Sequence, residues 1–141
     1  MSAVTDAQTD SSETQTAGDA GVRLVIPAQS RYLRLARLTA AGFAGDLDYG
    51  TDAIEDLRIA VDELCAAVIE DCEPGAELTV RYRDVDGVLL VDGVCDDPAS
   101  SPPELHAVAH ELLAMLADEY EVGANESGRT FRLVKRPRPI G

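Results

Sequence analysis

Apolar residues recur at three- and four-residue steps along Thr51 to Cys72 (TDAIEDLRIAVDELCAAVIEDC), where Ile54, Leu57, Val61, Leu64 and Val68 fall on one stripe. That spacing predicts an amphipathic helix with one buried face. Thr51 can cap it, and Asp52, Glu55 and Asp56 put acids in the first turn, where the helix dipole favours them. Such a stripe needs a sheet to cover. Beside it Glu63 and Ala67, four residues apart, project side by side, with Asp71 continuing the row. Any chemistry of this helix lies along that second row.

On either side the pattern changes period. Val22 to Ile26 (VRLVI), ended by Pro27, suits an edge strand. Ser30 can cap a second helix with broad apolar cover from Tyr32, Leu33, Leu35, Ala36, Leu38, Thr39 and Phe43. Gly45 to Gly50 (GDLDYG) turns the chain into the central helix. Beyond Pro74-Gly75, Glu77 to Arg83 alternates apolar and polar residues, and Asp86-Gly87 closes a hairpin into Val88 to Val91. Asp92 to Pro103 is an acidic, Pro- and Ser-rich loop of the kind that carries binding functions. Glu104 to Asp118 predicts a third helix with Leu105, Val108, Leu112, Met115 and Leu116 inward, and strands follow at Glu119 to Val122 and Thr130 to Val134. Helices segregated from hairpin-linked strands predict an α+β fold: a two-layer α/β sandwich whose mixed, mostly antiparallel sheet is covered on one face by three helices.

The flanks read differently. Residues 1–20 are Ser, Thr, Asp, Gln and Ala with almost no bulky apolar group, an acidic tail expected to be disordered. Lys135 to Gly141 (KRPRPIG) reads as a basic, proline-broken end, and the domain is expected over 21–136 with a C-terminal tail over 137–141. A formal charge of −14 argues against direct nucleic-acid binding, which rests on Lys and Arg displacing counterions. A basic protein partner fits better. No apolar run approaches the ~20 residues that span a bilayer, and no signal peptide is visible, so the expectation is a cytoplasmic protein without membrane contact. Of three cysteines, Cys65 and Cys72 lie two helical turns apart, about 10 Å by helix rise, too far to bridge. Reduced structural cysteines are expected, with a redox role open for Cys95.

Candidate chemistry is sparse. His106 and His110 are four apart on one helix and can grip a metal, but no third ligand is placed beside them, so no metal site is assigned. Neither GxxxxGK[ST] nor GxGxxG occurs, and Tyr32, Tyr49, Tyr82 and Tyr120 are too scattered for a base-stacking platform. Asp92, Asp96 and Asp97 can bind a hard cation or simply form an acidic exposed loop. Glu63 can act as a general base where it is desolvated, and otherwise is a surface carboxylate. Arg31, Arg34 and Arg37 recur one turn apart, either as a solvated face or as a contact for acidic groups of a partner.

Two stretches, IPAQSRYLRLARLTAAGF (Ile26 to Phe43) and IEDLRIAVDELCAAVI (Ile54 to Ile69), resemble the RsbW-type anti-sigma factors, serine protein kinases of the GHKL (HATPase) superfamily. The resemblance covers roughly 22–134. It is nearest the divergent actinobacterial branch of stress and sporulation regulators, with DLDYGTDAIEDLRIAVDELC the most telling string. It implies a Bergerat-type sandwich, a dimer, Mg-ATP as cofactor and a catalytic Glu, matched by Glu63. The family's Asn four residues later, which helps hold Mg²⁺, is replaced by Ala67, whose methyl has no lone pair. The adenine-reading D-x-G turn falls near Cys95 to Asp97, where Asp96 or Asp97 substitutes only with a shifted loop. The glycine-rich phosphate stretch has no counterpart, because no glycine occurs between Gly93 and Gly123.

The partner-binding side is better kept. Arg37 in ARLT matches the family's first-helix arginine, which the resemblance implies contacts the sigma factor and competes with an anti-anti-sigma antagonist of STAS type, and Arg34 extends that surface. The expected function is therefore an anti-sigma factor that sequesters an alternative sigma factor of stress or sporulation type without normal ATP use. An active Mg-ATP-dependent serine kinase with Glu63 as base, and a redox-gated binding protein using Cys95, are the alternatives.

Overall fold

A computed structural model describes residues 20–98 and 101–137. Nearly all of the acidic N-terminal segment and the last four residues lie outside them. Strand β1 (Ala20–Pro27) leads through a short 3-10 turn (Ser30–Tyr32) into α1 (Leu33–Asp46) and α2 (Thr51–Ile69). The hairpin β2 (Glu77–Val85) and β3 (Val88–Cys95) follows, then α3 (Ala107–Leu116) and the hairpin β4 (Glu119–Asn125) and β5 (Gly128–Lys135). The strands form one sheet in the order β1-β2-β3-β5-β4. All four pairings are antiparallel, and β1, ended by Pro27, is an edge.

The α2 stripe does what its spacing demands. Leu57, Val61, Leu64 and Val68 are fully buried against Leu78, Val80, Tyr82, Leu89, Val91, Phe131 and Leu133 of the sheet. On α1 the row Ala36, Ala40 and Ala44 is also fully buried. These short side chains let the helix backbone approach the strands, and the Tyr82 hydroxyl donates to the Ala36 carbonyl at 2.9 Å. Asp86 and Gly87 both take positive φ (53° and 84°), the two-residue turn whose twist matches the flanking strands.

Several expectations fail at element ends. Gly50, not Thr51, is the N-cap of α2, and Thr51 is already helical. The helix stops at Ile69, and Asp71 takes a left-handed φ of 65°, so Asp71 leaves the row of Glu63 and Ala67. Ser30 opens a 3-10 turn rather than capping α1. Strand β3 runs on to Cys95, which takes Asp92 out of the loop. On α3 the buried residues are Leu113 and Leu116, while Val108 and Met115 point outward at 73% and 75% exposure. The helix begins three residues later than its apolar pattern promised, and of the residues expected inward Leu105 and Leu112 also pack against the core. Leu38, expected to cover the core, is 57% exposed.

Two polar groups knit distant segments together. Tyr49, in the elbow between α1 and α2, accepts the Leu89 amide at 3.1 Å, and its oxygen lies 2.9 Å from the Gly87 carbonyl and 2.8 Å from the Lys135 carbonyl. Burial raises its pKa. Lys135, read as the start of a basic tail, is 4% exposed because it ends β5 on the inward side. Its Nζ donates to the Leu116 carbonyl at 2.8 Å and lies 3.6 Å from Asp56 Oδ2.

Candidate functional site

The second row of α2 opens into a cavity of about 460 Å³ lined by Glu63, Ala67 and Glu70 of the helix and its exit. Ser30 closes one side, and Glu104 and His106, in the segment before α3, close the other. Glu63 and Ala67 thus share one site, as their spacing predicted. The site's chemistry is set by what lines it: three carboxylates, one imidazole, one hydroxyl, and otherwise alanine, isoleucine and leucine carbons. No lysine or arginine is among them.

Toward a nucleoside triphosphate with Mg²⁺ this lining presents carboxylates and a methyl. Ala67 is 8% exposed and offers only a methyl, which cannot coordinate a cation. Without a bridging cation, each carboxylate facing a phosphate oxygen at ~6 Å contributes a repulsion of about 3 kcal/mol at an effective dielectric of ~20. No glycine-rich turn presents backbone N–H groups to offset it, since the described residues from Asp96 to His106 contain no glycine.

The two aspartates expected near an adenine are engaged elsewhere. Asp96 Oδ1 accepts the Glu77 amide at 2.7 Å and Asp97 Oδ2 the Glu73 amide at 3.0 Å, so both tie the α2–β2 loop to the end of β3. Asp97 also lines a second, smaller cavity of about 280 Å³ with Asp71, Cys72, Ser101 and Arg129. Asp92, now on β3, pairs with Arg83 at 3.1 Å. The three loop aspartates therefore do not converge on a cation. His110 Nδ1 lies 3.1 Å from the Tyr120 hydroxyl, away from His106 at the cavity. Among the described residues no three His, Cys, Asp or Glu side chains are grouped to hold a metal.

The cysteines depart from the expectation of reduced thiols. Cys72, in the loop after α2, and Cys95, at the end of β3, are joined as a disulfide, leaving Cys65 free and buried. Spacing within α2 excluded only the Cys65–Cys72 pair, and the partner of Cys72 is 23 residues away on another element.

The arginines of the 3-10 turn and α1 separate by role. Arg37 Nη1 meets Asp62 Oδ1 of α2 at 2.6 Å, with the side chains 36% and 35% exposed. Arg31 stacks over its neighbour Tyr32, 4.8 Å from the ring centroid. Arg34 is exposed, one turn before exposed Leu38. The outer face of α1 thus offers guanidinium groups beside an apolar side chain, a combination that favours protein recognition. Leu38 was missed because an apolar residue in an amphipathic pattern is assigned inward by default.

A serine-protein kinase RsbW of Bacillus pumilus (strain SAFR-032) is 31% identical over 137 residues, covering 81% of this chain and 84% of that protein. The chain belongs to the RsbW family of anti-sigma factors and serine-protein kinases. RsbW of Bacillus subtilis (strain 168) is 34% identical over 64 residues, covering 43% of this chain and 40% of that protein. RsbW of Bacillus cereus (strain ATCC 10987 / NRS 248) is 34% identical over 76 residues, covering 50% and 48%. No protein-family model matches the chain. The five-stranded sheet with three helices on one face is the GHKL-like sandwich that this RsbW relationship implies. Among the described residues no helix is long and apolar enough to cross a membrane.

Proposed function

We propose that this RsbW homologue is a cytoplasmic, homodimeric anti-sigma factor that sequesters an alternative sigma factor of stress or sporulation type, is released by a STAS-type antagonist, and works without normal use of ATP. The observation that carries this reading is the pairing of Glu63 with Ala67 in a cavity of three carboxylates and no cation. The family's base position is kept there, while the metal position beside it is a methyl. The α1 face that carries Arg34, Arg37 and Leu38, open to solvent in part or whole, supports the partner-binding side of this reading. The acidic charge of the chain suits a basic partner, since electrostatic complementarity raises encounter rate and specificity.

The test is calorimetric titration with each stress-type sigma factor of the source organism, in buffer stripped of nucleotide and Mg²⁺ and again with Mg-ATP. Equal, tight binding in both supports sequestration. Binding only with Mg-ATP, together with phosphate transfer to a STAS protein that Glu63→Gln abolishes, would return the protein to the active kinases.

A further inference from the structure

We propose that Cys72 and Cys95 form a reversible thiol–disulfide site, closed by a hydroperoxide and opened by a dithiol, that clamps the exit of α2 to the end of β3 when oxidised. The two sulfurs come from separate elements, Cys72 from the loop after α2 and Cys95 from the last position of β3, 23 residues apart in the chain. In the cytoplasmic setting proposed above, a protein disulfide is ordinarily a transient, redox-sensing bond rather than a permanent brace. The biological use of the site rests on that reading, and its chemistry does not.

The two ends of the bond differ in access. Cys95 is fully buried. It pairs with Arg129 across the ladder, and a side chain at Gly128 would collide with its carbonyl, so the start of β5 sits directly on it. Cys72 is half-buried and lines the cavity of about 280 Å³ that it shares with Asp71, Asp97, Ser101 and Arg129, a lining from which Cys95 is absent. A reagent therefore reaches Cys72 first, and Cys95 is placed as the resolving sulfur. On oxidation the Cys72 thiolate takes the terminal oxygen of the hydroperoxide, giving a sulfenic acid and releasing an alcohol or water. The Cys95 thiol then displaces that oxygen as a further water, and the S–S bond forms. On reduction a thiolate of the dithiol attacks Cys72 Sγ, and Cys95 leaves and takes a proton. The second sulfur of the dithiol then displaces Cys72, which leaves two protein thiols and an oxidised dithiol.

Hydrogen bonds around the pair show what it clamps. The Glu73 amide donates to Asp97 Oδ2 at 3.0 Å, the Glu77 amide to Asp96 Oδ1 at 2.7 Å, and Arg129 Nη1 to the Glu70 carbonyl at 3.0 Å. All three lie at exposed positions, and segments held by solvent-exposed bonds open locally with ease. The disulfide is the one covalent tie across them. Glu70 lines both this cavity and that of Glu63, so the state of the bond sets how firmly one wall of the Glu63 site is held.

The experiment uses the purified full chain, oxidised with hydrogen peroxide, exposed without denaturant to dithiothreitol, then quenched in acid and alkylated unfolded for mass spectrometry. Labelling should rise from Cys65 alone to all three cysteines, and fresh peroxide should return it to Cys65 alone. In hydrogen exchange the Glu73 and Glu77 amides should exchange faster in the reduced chain by about tenfold or more, while the Val91 amide in the centre of the sheet is unchanged. With peroxide and glutathione, Cys95→Ala should gain one glutathione on Cys72 and Cys72→Ala none, each shown to be folded by circular dichroism. The wild-type labelling and exchange decide the matter where a variant does not fold. A bond that resists the dithiol until the chain unfolds, thiols that peroxide does not rejoin, equal exchange at Glu73 and Glu77 in both states, or an adduct on Cys95 in Cys72→Ala would overturn the proposal. Every step is read on the chain alone, so failure here leaves the anti-sigma reading standing, and failure of sigma binding leaves this site standing.

Discussion

Removing the Arg37 guanidinium separates a stabilising role from a recognition role, because the structure bounds the first. The Arg37–Asp62 pair is short, at 2.6 Å, but each side chain is about a third exposed. Pairs so open to solvent contribute roughly 0.2–1 kcal/mol. Arg37→Ala should therefore lower the unfolding free energy by less than about 1 kcal/mol, read from urea melts at constant slope. An arginine that anchors an interface contributes 2 kcal/mol or more, so affinity for the cognate sigma factor should fall by about 30-fold. Asp62→Ala is the control. It breaks the same ion pair at the same small cost, yet leaves the guanidinium in place and less restrained, so affinity should hold or rise. Arg37→Lys keeps the charge but loses the fork and should fall between. The reasoning is refuted if Asp62→Ala weakens binding as much as Arg37→Ala, which would make the arginine a brace between α1 and α2. It is also refuted if Arg37→Ala binds within about twofold of wild type while Arg34→Ala does the same.

Three further expectations follow from buried groups. Lys135→Met removes the cation from beside Asp56 and should destabilise by about 3 kcal/mol, while the double variant with Asp56→Asn should recover most of it; matching urea midpoints for single and double variants would contradict this. Alkylation of the unfolded, unreduced protein should label Cys65 alone, and all three cysteines after reduction; three labels before reduction would show that Cys72 and Cys95 are not bonded. Alkaline stability should fall in two stages. Burial raises the Cys65 thiol, and burial together with the Cys65 charge raises the Tyr82 phenol, far above their ordinary values. The unfolded chain gives up these protons near pH ~8.5 and ~10 while the native state keeps them, so stability is full below ~8.5 and declines above it by up to about 1.4 kcal/mol per pH unit per group. Cys65→Val should abolish the first stage, and an unchanged slope in that variant would refute it.

What the sequence disclosed was local. The stripe of α2, the alternation of β2 and the Asp86-Gly87 turn are fixed by periods of 3.6 and 2 and by one demand for positive φ, and the structure contains all three. The adjacency of Glu63 and Ala67 was legible for the same reason. The errors sit where a third element decides. Nothing near Cys72 announces Cys95, because their meeting depends on β3 continuing past the alternation that was read. Asp96 and Asp97 look like ligands in sequence, but neighbouring amides without partners claim them first. Lys135 reads as tail because burial of a lysine needs a partner carboxylate 79 positions earlier in the chain, on α2. The exposure of Met115 was not legible because α3 is apolar on more than one side, and Leu112, Leu113 and Leu116 take the side that meets the core.

The Tyr49 hydroxyl bears on the order of assembly. Its three partners are Gly87 and Leu89 of the first hairpin and Lys135 at the end of the last strand. This knot cannot close until the β2–β3 turn, the β5 terminus and the α1–α2 elbow have all arrived. Contacts of such long sequence separation form late, because loop-closure entropy must be overcome before they contribute. The Leu89 amide, which donates to the Tyr49 hydroxyl, is then a reporter of the final step: in a refolding pulse-labelling experiment it should gain protection after its neighbours on β3. A folding transition state in which this elbow is still open also places Tyr49→Phe on the unfolding limb of the chevron, shortening the lifetime of the native state while leaving the folding rate nearly unchanged.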